Sequence, residues 1–281
     1  MKDSVRLLRK VSFSSGHRYW RQELSEAENK ELFGKWASPY NHGHNYVLWV
    51  GVDGSTDETT GMVVNIKDID RTVRDTVLKE LDQKSLNDEV AHFASVVPST
   101  ENLALYIAQG LARQSLGGRL AYLKLEENPL LFVEIDMNTT GPKVTLTRVY
   151  EFAASHRLHS PVLSQAENEA LYGKCSNEHG HGHNYVLEVT VGGEPDPSTG
   201  MLVNINELDR VVHALVVDRY DHRNLSLEIP ELQGKVATSE MVAEAIWALL
   251  DGNLPARLEV VRLFETARNA FEVRRPTLPV S

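Results

Sequence analysis

Sliding the chain along itself exposes the feature that most constrains its fold: the sequence is written twice. Leu24-Ser25-x-Ala27-Glu28-Asn29 returns as Leu163-Ser164-x-Ala166-Glu167-Asn168, and His42-Gly43-His44-Asn45-Tyr46-Val47-Leu48 returns as His181-Gly182-His183-Asn184-Tyr185-Val186-Leu187. The offset is 139 residues, and it holds without a gap from His17 and His156 through Gly61-Met62 and Gly200-Met201 to Glu101 and Glu240, after which one residue slips. A repeat of this length exceeds a solenoid unit and can close its own core. The 281-residue chain is therefore expected to form two similar domains in tandem, 1–139 and 140–281. The joint falls where turn formers cluster, at Asn138-Thr139-Thr140-Gly141-Pro142.

Periodicity changes in the same order within each copy. Residues 5–17 and 144–156 alternate and are rich in β-branched side chains, as are 42–53 and 181–192, so all four read as strands. The long segment between them reads as loop. A 3.6-residue period follows, with Ile66, Ile69, Val73, Val77 and Leu81 in the first copy and Ile205, Leu208, Val212 and Leu215 in the second. A second helix opens at Ser99-Thr100-Glu101 and at Thr238-Ser239-Glu240, where a hydroxyl can cap free amides and an acid favours the positive end. Two more strands lie around 121–135 and 258–273. The order predicts an α+β fold, a four-stranded antiparallel sheet per copy with two helices on one face. The bare sheet face calls for a cover, and a neighbouring subunit is the natural one.

Composition narrows the function. Apolar residues make up 42% and charged residues 24% of the chain, and its longest greasy runs fall short of the ~18 residues that cross a bilayer. The 29 Lys plus Arg against 39 Asp plus Glu leave a formal charge of −10, which offers no global attraction for nucleic acid or anionic lipid. The opening Met-Lys-Asp-Ser-Val-Arg lacks the apolar stretch of a secretory signal, and the lone Cys175 has no intrachain partner, so a cytoplasmic protein is expected.

His-x-His within a strand puts both imidazoles on one face. A third histidine ends the preceding strand, giving His17 with His42 and His44, and His156 with His181 and His183. Three histidines leave the fourth tetrahedral position of Zn²⁺ open, the arrangement of a catalytic site. Cys175 lies six residues before His181, in the loop that returns to the second trio, where Lys174 and a divalent ion would lower its pKa and make thiolate available as base or nucleophile. Glu178 and His179 are extra polar groups of that loop. Asp221 beside His222 suits an oriented acid–base pair. The first copy has Trp36 in place of Cys175 and Asp82-Gln83 in place of Asp221-His222, so it keeps the trio while losing thiol and imidazole together. The second copy therefore reads as catalytic and the first as a degenerate scaffold. Glu265, with Glu127 as its counterpart, suits two parallel hydrogen bonds to a flat amidine-like edge, although a surface glutamate viewed alone would fit the same pattern.

Phe-x-Ala-Ser-His-Arg-Leu, Leu-Tyr-Gly-Lys-Cys, His-Gly-His-Asn-Tyr, Asp-His-Arg-Asn-Leu and the strand-borne Glu-Thr together resemble the 6-pyruvoyltetrahydropterin synthase and 6-carboxytetrahydropterin synthase family. The likeness spans both halves and is complete only in the second. It implies the tunnelling fold, in which sheets from three domains close a barrel and two barrels stack. It also implies Zn²⁺ on His156, His181 and His183, Cys175 as the proton-abstracting base, Asp221 and His222 as a relay and Glu265 as the pterin anchor. Lys174 and Arg157 would contact the triphosphate and Thr238 would be a further substrate contact. The implied reaction converts 7,8-dihydroneopterin triphosphate with loss of triphosphate and needs no nicotinamide. The six-residue step from Cys175 to His181 resembles the pyruvoyl-forming branch. Cys175-x-x-x-His179-Gly-His181 also satisfies the tighter spacing of the carboxy-forming branch, of the queuosine pathway, and Glu178 leaves room for an aldolase-like variant giving a 6-hydroxymethylpterin. Pockets of this family form between subunits, so a homo-oligomer is implied, with three tandem chains supplying six domains in like-with-like rings. The competing class is a non-catalytic pterin- or metal-binding assembly module.

Overall fold

The computed structural model describes residues 4–138 and 141–276. Thr139 and Thr140 of the expected joint lie outside them. The chain forms two compact units, residues 1–146 with 192–204, and 147–191 with 205–281.

In the first unit β1 (Val5–His17) pairs antiparallel with β2 (His42–Gly54) along its whole length. β4 (Arg119–Asn128) adds to the other edge of β2, and β5 (Leu131–Asp136) to β4, both antiparallel. A two-residue strand, β3 (Lys84–Ser85), runs parallel to the end of β1, pairing Ser15 with Lys84. The second unit repeats the plan in the order β10 (Asn269–Arg274), β9 (Arg257–Thr266), β7 (His181–Gly193), β6 (Lys143–His156), with the short β8 (Arg223–Asn224) parallel to β6. These are the four long antiparallel strands expected for each copy.

Alternation along the strands buries one face. Leu48, Val50, Val52, Leu123, Leu125, Val133 and Ile135 are inaccessible in the first unit, as are Leu187, Val189, Val191, Val261 and Leu263 in the second. The helices Thr100–Ala112 and Ser239–Leu250 pack on the last two strands of their copies through Leu103, Ile107 and Leu111, and through Val242, Ile246 and Leu250. Ser99 and Thr238 cap them, accepting from Asn102 N and Met241 N.

Two sequence expectations need correction. The segment expected as loop carries a helix in each copy, α1 (Glu26–Phe33) and its equivalent Gln165–Tyr172. Each starts at a capping box in which Ser25 and Glu28, or Ser164 and Glu167, bond reciprocally. The long helix after β2 or β7 also departs from a strict 3.6 period. Ile66–Val73 and Ile205–Val212 run on through π-helical turns, Arg74–Leu78 and His213–Val217, each inserting one residue. Val216, not the expected Leu215, is therefore the fully buried residue, as is Val77 in the first copy. Ile66 is exposed. Among the described residues no helix is long and apolar enough to cross a membrane.

Candidate metal and pterin site

The β1–β2 register sets His17 opposite His42 and Phe13 opposite Tyr46, so His44 shares the face of both. Ring centroids of His17, His42 and His44 stand 4.6, 5.1 and 5.0 Å apart, taken as 17–42, 17–44 and 42–44. Those of His156, His181 and His183 stand 4.7, 5.2 and 4.8 Å apart in the same order. Under each trio an aromatic pair forms its floor: Phe13–Tyr46 and Phe152–Tyr185 both stack at 5.1 Å with planes 17° apart. In each group the three ligand nitrogens lie within 4.8 Å of one another.

The tautomers are set from outside. His156 Nδ1 lies 2.8 Å from the Ala237 carbonyl and His17 Nδ1 lies 2.7 Å from that of Pro98. A carbonyl only accepts, so each Nδ1 carries the proton and each Nε2 presents a lone pair. His156 Nε2 faces His181 Nε2 at 3.2 Å, and His183 Nε2 is buried with no hydrogen-bond partner among the described residues. Two nitrogens on a tetrahedral zinc, each ~2.0–2.1 Å from it, stand about 3.3 Å apart, so the donor set and spacing fit a divalent cation. Burial lowers the pKa of His156 and of His183, and takes His17 to about 3, which keeps these rings neutral and able to ligate.

A glutamate stands beside each trio. Glu265 Oε1 accepts from Ser239 Oγ at 2.7 Å and lies 3.6 Å from His156 Nε2 and 3.8 Å from His183 Nε2. Burial works to raise its pKa, but the hydroxyl, the Asn269 amide and the nearby imidazoles outweigh it and hold the group ionised below its usual range. Glu127 is held alike, by Thr100 Oγ1 at 2.5 Å, with His44 Nε2 at 3.6 Å. Ser239 is the contact that the sequence reading missed. Thr238, expected to touch substrate, uses its hydroxyl on Met241 N at 3.4 Å.

Cys175 is half-buried in a 3₁₀ turn, Gly173–Ser176, which is tied to the residues following His156: Leu158 N donates to the Cys175 carbonyl at 2.8 Å and Arg157 Nε to that of Ser176 at 3.0 Å. The thiol is not part of the three-nitrogen group. Lys174, Glu178 and His179 are exposed, and His179 is likewise outside that group.

Asp221 and His222 sit where the π-containing helix ends. Ala153 N donates to Asp221 Oδ1 at 2.8 Å, His222 N donates to the Ala153 carbonyl at 2.6 Å, and His222 takes φ +57°. Its Nδ1 is 2.8 Å from Asp221 Oδ2, and its ring, 83% exposed, lines one cleft with His183 and Asn184. The Ala153 amide first, and the imidazole next, hold the Asp221 carboxyl below its usual pKa. In the first copy Gln83 repeats the geometry at φ +60°, with Gln83 N on the Ser14 carbonyl and Ser14 N on Asp82 Oδ1 at 2.9 Å. Trp36 packs with Tyr19 at 6.4 Å beside the buried Phe33, Val97 and Met201.

A profile of the family described as 6-pyruvoyl tetrahydropterin synthase matches residues 6–138 and again 145–276. A 6-pyruvoyl tetrahydrobiopterin synthase from Poecilia reticulata is 45% identical over 130 residues, which is 46% of this chain and 88% of that protein. A 6-carboxy-5,6,7,8-tetrahydropterin synthase from Bacillus subtilis is 29% identical over 131 residues, covering 46% of this chain and 82% of that protein. Among solved structures, Caenorhabditis elegans 6-pyruvoyl tetrahydropterin synthase is 42% identical over 48% of this chain and 97% of its own, with a TM-score of 0.46.

Proposed function

The chain belongs, over both of its halves, to the 6-pyruvoyl tetrahydropterin synthase family, and from that premise we propose that its second copy converts 7,8-dihydroneopterin triphosphate into 6-pyruvoyltetrahydropterin with elimination of triphosphate. The observation that carries this reading is the neutral, Nδ1-anchored trio of His156, His181 and His183 beside an ionised Glu265. The higher identity to the pyruvoyl-forming relative than to the carboxy-forming one favours that product.

His156, His181 and His183 would hold Zn²⁺, which supplies Lewis-acid polarisation of the substrate's side-chain hydroxyls. Glu265, fixed by Ser239, accepts two hydrogen bonds from the amino-pyrimidinone edge and orients the pterin. The Cys175 thiolate takes the carbon-bound proton. His222, with its tautomer held by Asp221, passes protons as the ring tautomerises and the phosphate–carbon oxygen bond breaks. The ring gains the hydrogens that the side chain gives up, so no external reductant enters. Lys174 and Arg157 meet the departing triphosphate. A catalytic thiolate needs a reducing compartment, the cytoplasm, and the bare sheet faces need a homo-oligomer in which three chains supply six domains.

Incubation of the zinc-loaded protein with dihydroneopterin triphosphate, followed by mass spectrometry, is expected to yield one triphosphate and one 6-pyruvoyltetrahydropterin per turnover. A 6-carboxy or 6-hydroxymethyl product, or no product, would contradict the reading.

A further inference from the structure

The pocket of the first copy is walled by a segment of the second repeat. Residues 192–204, counterparts of 53–65, fold into the same compact unit as residues 1–146. Within that unit Met201, only 4% exposed, joins Tyr19, Phe33 and Val97 in a cluster on which Trp36 packs. Leu202 N donates to Glu101 Oε1 at 2.7 Å, and Ser99 Oγ donates to the Gly200 carbonyl at 2.5 Å. Gly200 approaches so closely that a methyl group there would collide with the Asn102 amide. Glu101 neighbours Glu127, so this contact closes the pocket beside the first trio.

The equivalent loop of the first copy has the same shape but meets nothing. Asp57 N bonds the Met62 carbonyl at 2.9 Å and Gly61 N the Asp57 carbonyl at 2.8 Å, and the matching bonds of Asp196, Met201 and Gly200 are 2.9 and 2.7 Å. Asp57 Oδ1 also accepts from Thr59 N and Thr60 N, as Asp196 Oδ1 does from Ser198 N and Thr199 N. Gly61 and Gly200 share a positive φ, +69° and +71°. Yet a methyl group on Gly61 would find nothing within 4 Å, and Met62 is 43% exposed. The wall that would receive it is open as well. Leu158, Tyr172 and Val236, equivalents of the buried Tyr19, Phe33 and Val97, are only partly covered, and Glu240, equivalent of the buried Glu101, is exposed.

We propose that the 57–65 loop of one chain docks on the second-copy site of another copy of the same chain. Met62 enters the wall formed by Leu158, Tyr172 and Val236 beside Cys175, and the Val63 amide meets Glu240. The catalytic pocket is thus incomplete in a single chain, and a neighbour finishes it. The matching edge of the first copy is already taken by residues 192–204, so the loop has no seat on a like copy. The rings therefore alternate first and second copies, against the like-with-like order expected from the sequence. A head-to-tail contact of this kind repeats until it closes a ring. The proposal rests on the repeat and its unmatched surfaces and does not depend on the reaction assigned above.

Trp36 packs on the Met201 cluster and Cys175 is its counterpart, so a thiol at position 62 should reach a native thiol. Met62→Cys under mild oxidation is expected to give disulfide-linked chains, multiples of 31.5 kDa on a non-reducing gel, and these should vanish in Met62→Cys combined with Cys175→Ala. Met62→Asp is expected to lower the sedimenting mass to that of one folded chain. No link, a link that survives Cys175→Ala, or an assembled mass untouched by Met62→Asp overturns the proposal. Product formation by the wild type is read separately, so loss of one conclusion leaves the other standing.

Discussion

The two copies hold their histidines within about 0.2 Å of the same ring spacings and repeat the left-handed residue after the π-containing helix, yet they differ in what the held positions carry. Gln83 occupies the backbone niche of His222 down to the bond onto the neighbouring strand. Trp36 replaces a half-buried thiol with an indole wedged among Tyr19, Phe33 and Met201. The scaffold and the chemistry have therefore separated. Packing, strand register and hydrogen bonds fix the trio in both copies, whereas proton transfer needs side chains that only the second copy retains. Keeping a precise trio without the thiol also suits a structural use for metal in the first copy.

This contrast can be broken at several levels. The largest effect is expected from His156→Ala, which removes one ligand and its anchor to Ala237: metal analysis should show one equivalent lost and turnover abolished. His17→Ala should also release one equivalent while turnover stays within a few-fold. Equal loss of activity in both variants would erase the distinction between the copies. Next comes His222→Gln, which installs the first copy's residue at a φ that Gln83 shows to be tolerated. General acid–base catalysis of this type contributes ~10²–10⁴-fold, so kcat should fall by roughly that factor with metal content unchanged. Gln83→His should leave kcat as it is.

Glu265→Gln removes a charged acceptor worth ~1.5–3 kcal/mol, so KM should rise roughly 10- to 100-fold, whereas Glu127→Gln should leave KM unaltered. The smallest effect concerns stability. Burial raises the Glu101 pKa to about 7 despite its bond from Leu202 N. An acid whose folded pKa exceeds its unfolded one favours the fold when protonated. That contribution is fully present below the unfolded value near 4.5 and is lost as pH rises through about 7. Glu101→Gln mimics the protonated form and keeps the Leu202 bond. It should therefore stabilise by about 2–3 kcal/mol at pH 8 and by little at pH 5, at ~1.4 kcal/mol per pKa unit. Glu240→Gln, on the exposed equivalent, should show no such pH-dependent gain in thermal melts.

The strands and the trios were legible because they depend on local alternation and on a repeat that places every histidine twice. The helices Glu26–Phe33 and Gln165–Tyr172 were read as loop because each buries only one or two side chains and so lacks a strong apolar stripe. Their capping boxes, Ser-x-x-Glu in both copies, were the available signal. The displacement from Leu215 to Val216 was not legible, since a π turn breaks the period that the reading relied on. Ser239 was overlooked in favour of Thr238 because capping and substrate contact compete for adjacent hydroxyls, and only the helix geometry decides which one turns toward Glu265. The placement of residues 192–204 with the first unit is a long-range event that no local pattern encodes.

Central to the account is a thiolate of the second copy acting next to, and separately from, the three imidazoles. Turnover of dihydroneopterin triphosphate by Cys175→Ala, measured on samples whose zinc content is determined in parallel, tests it most directly. The account predicts that product formation disappears while the metal content matches that of the wild type. Undiminished turnover with zinc in place would contradict it.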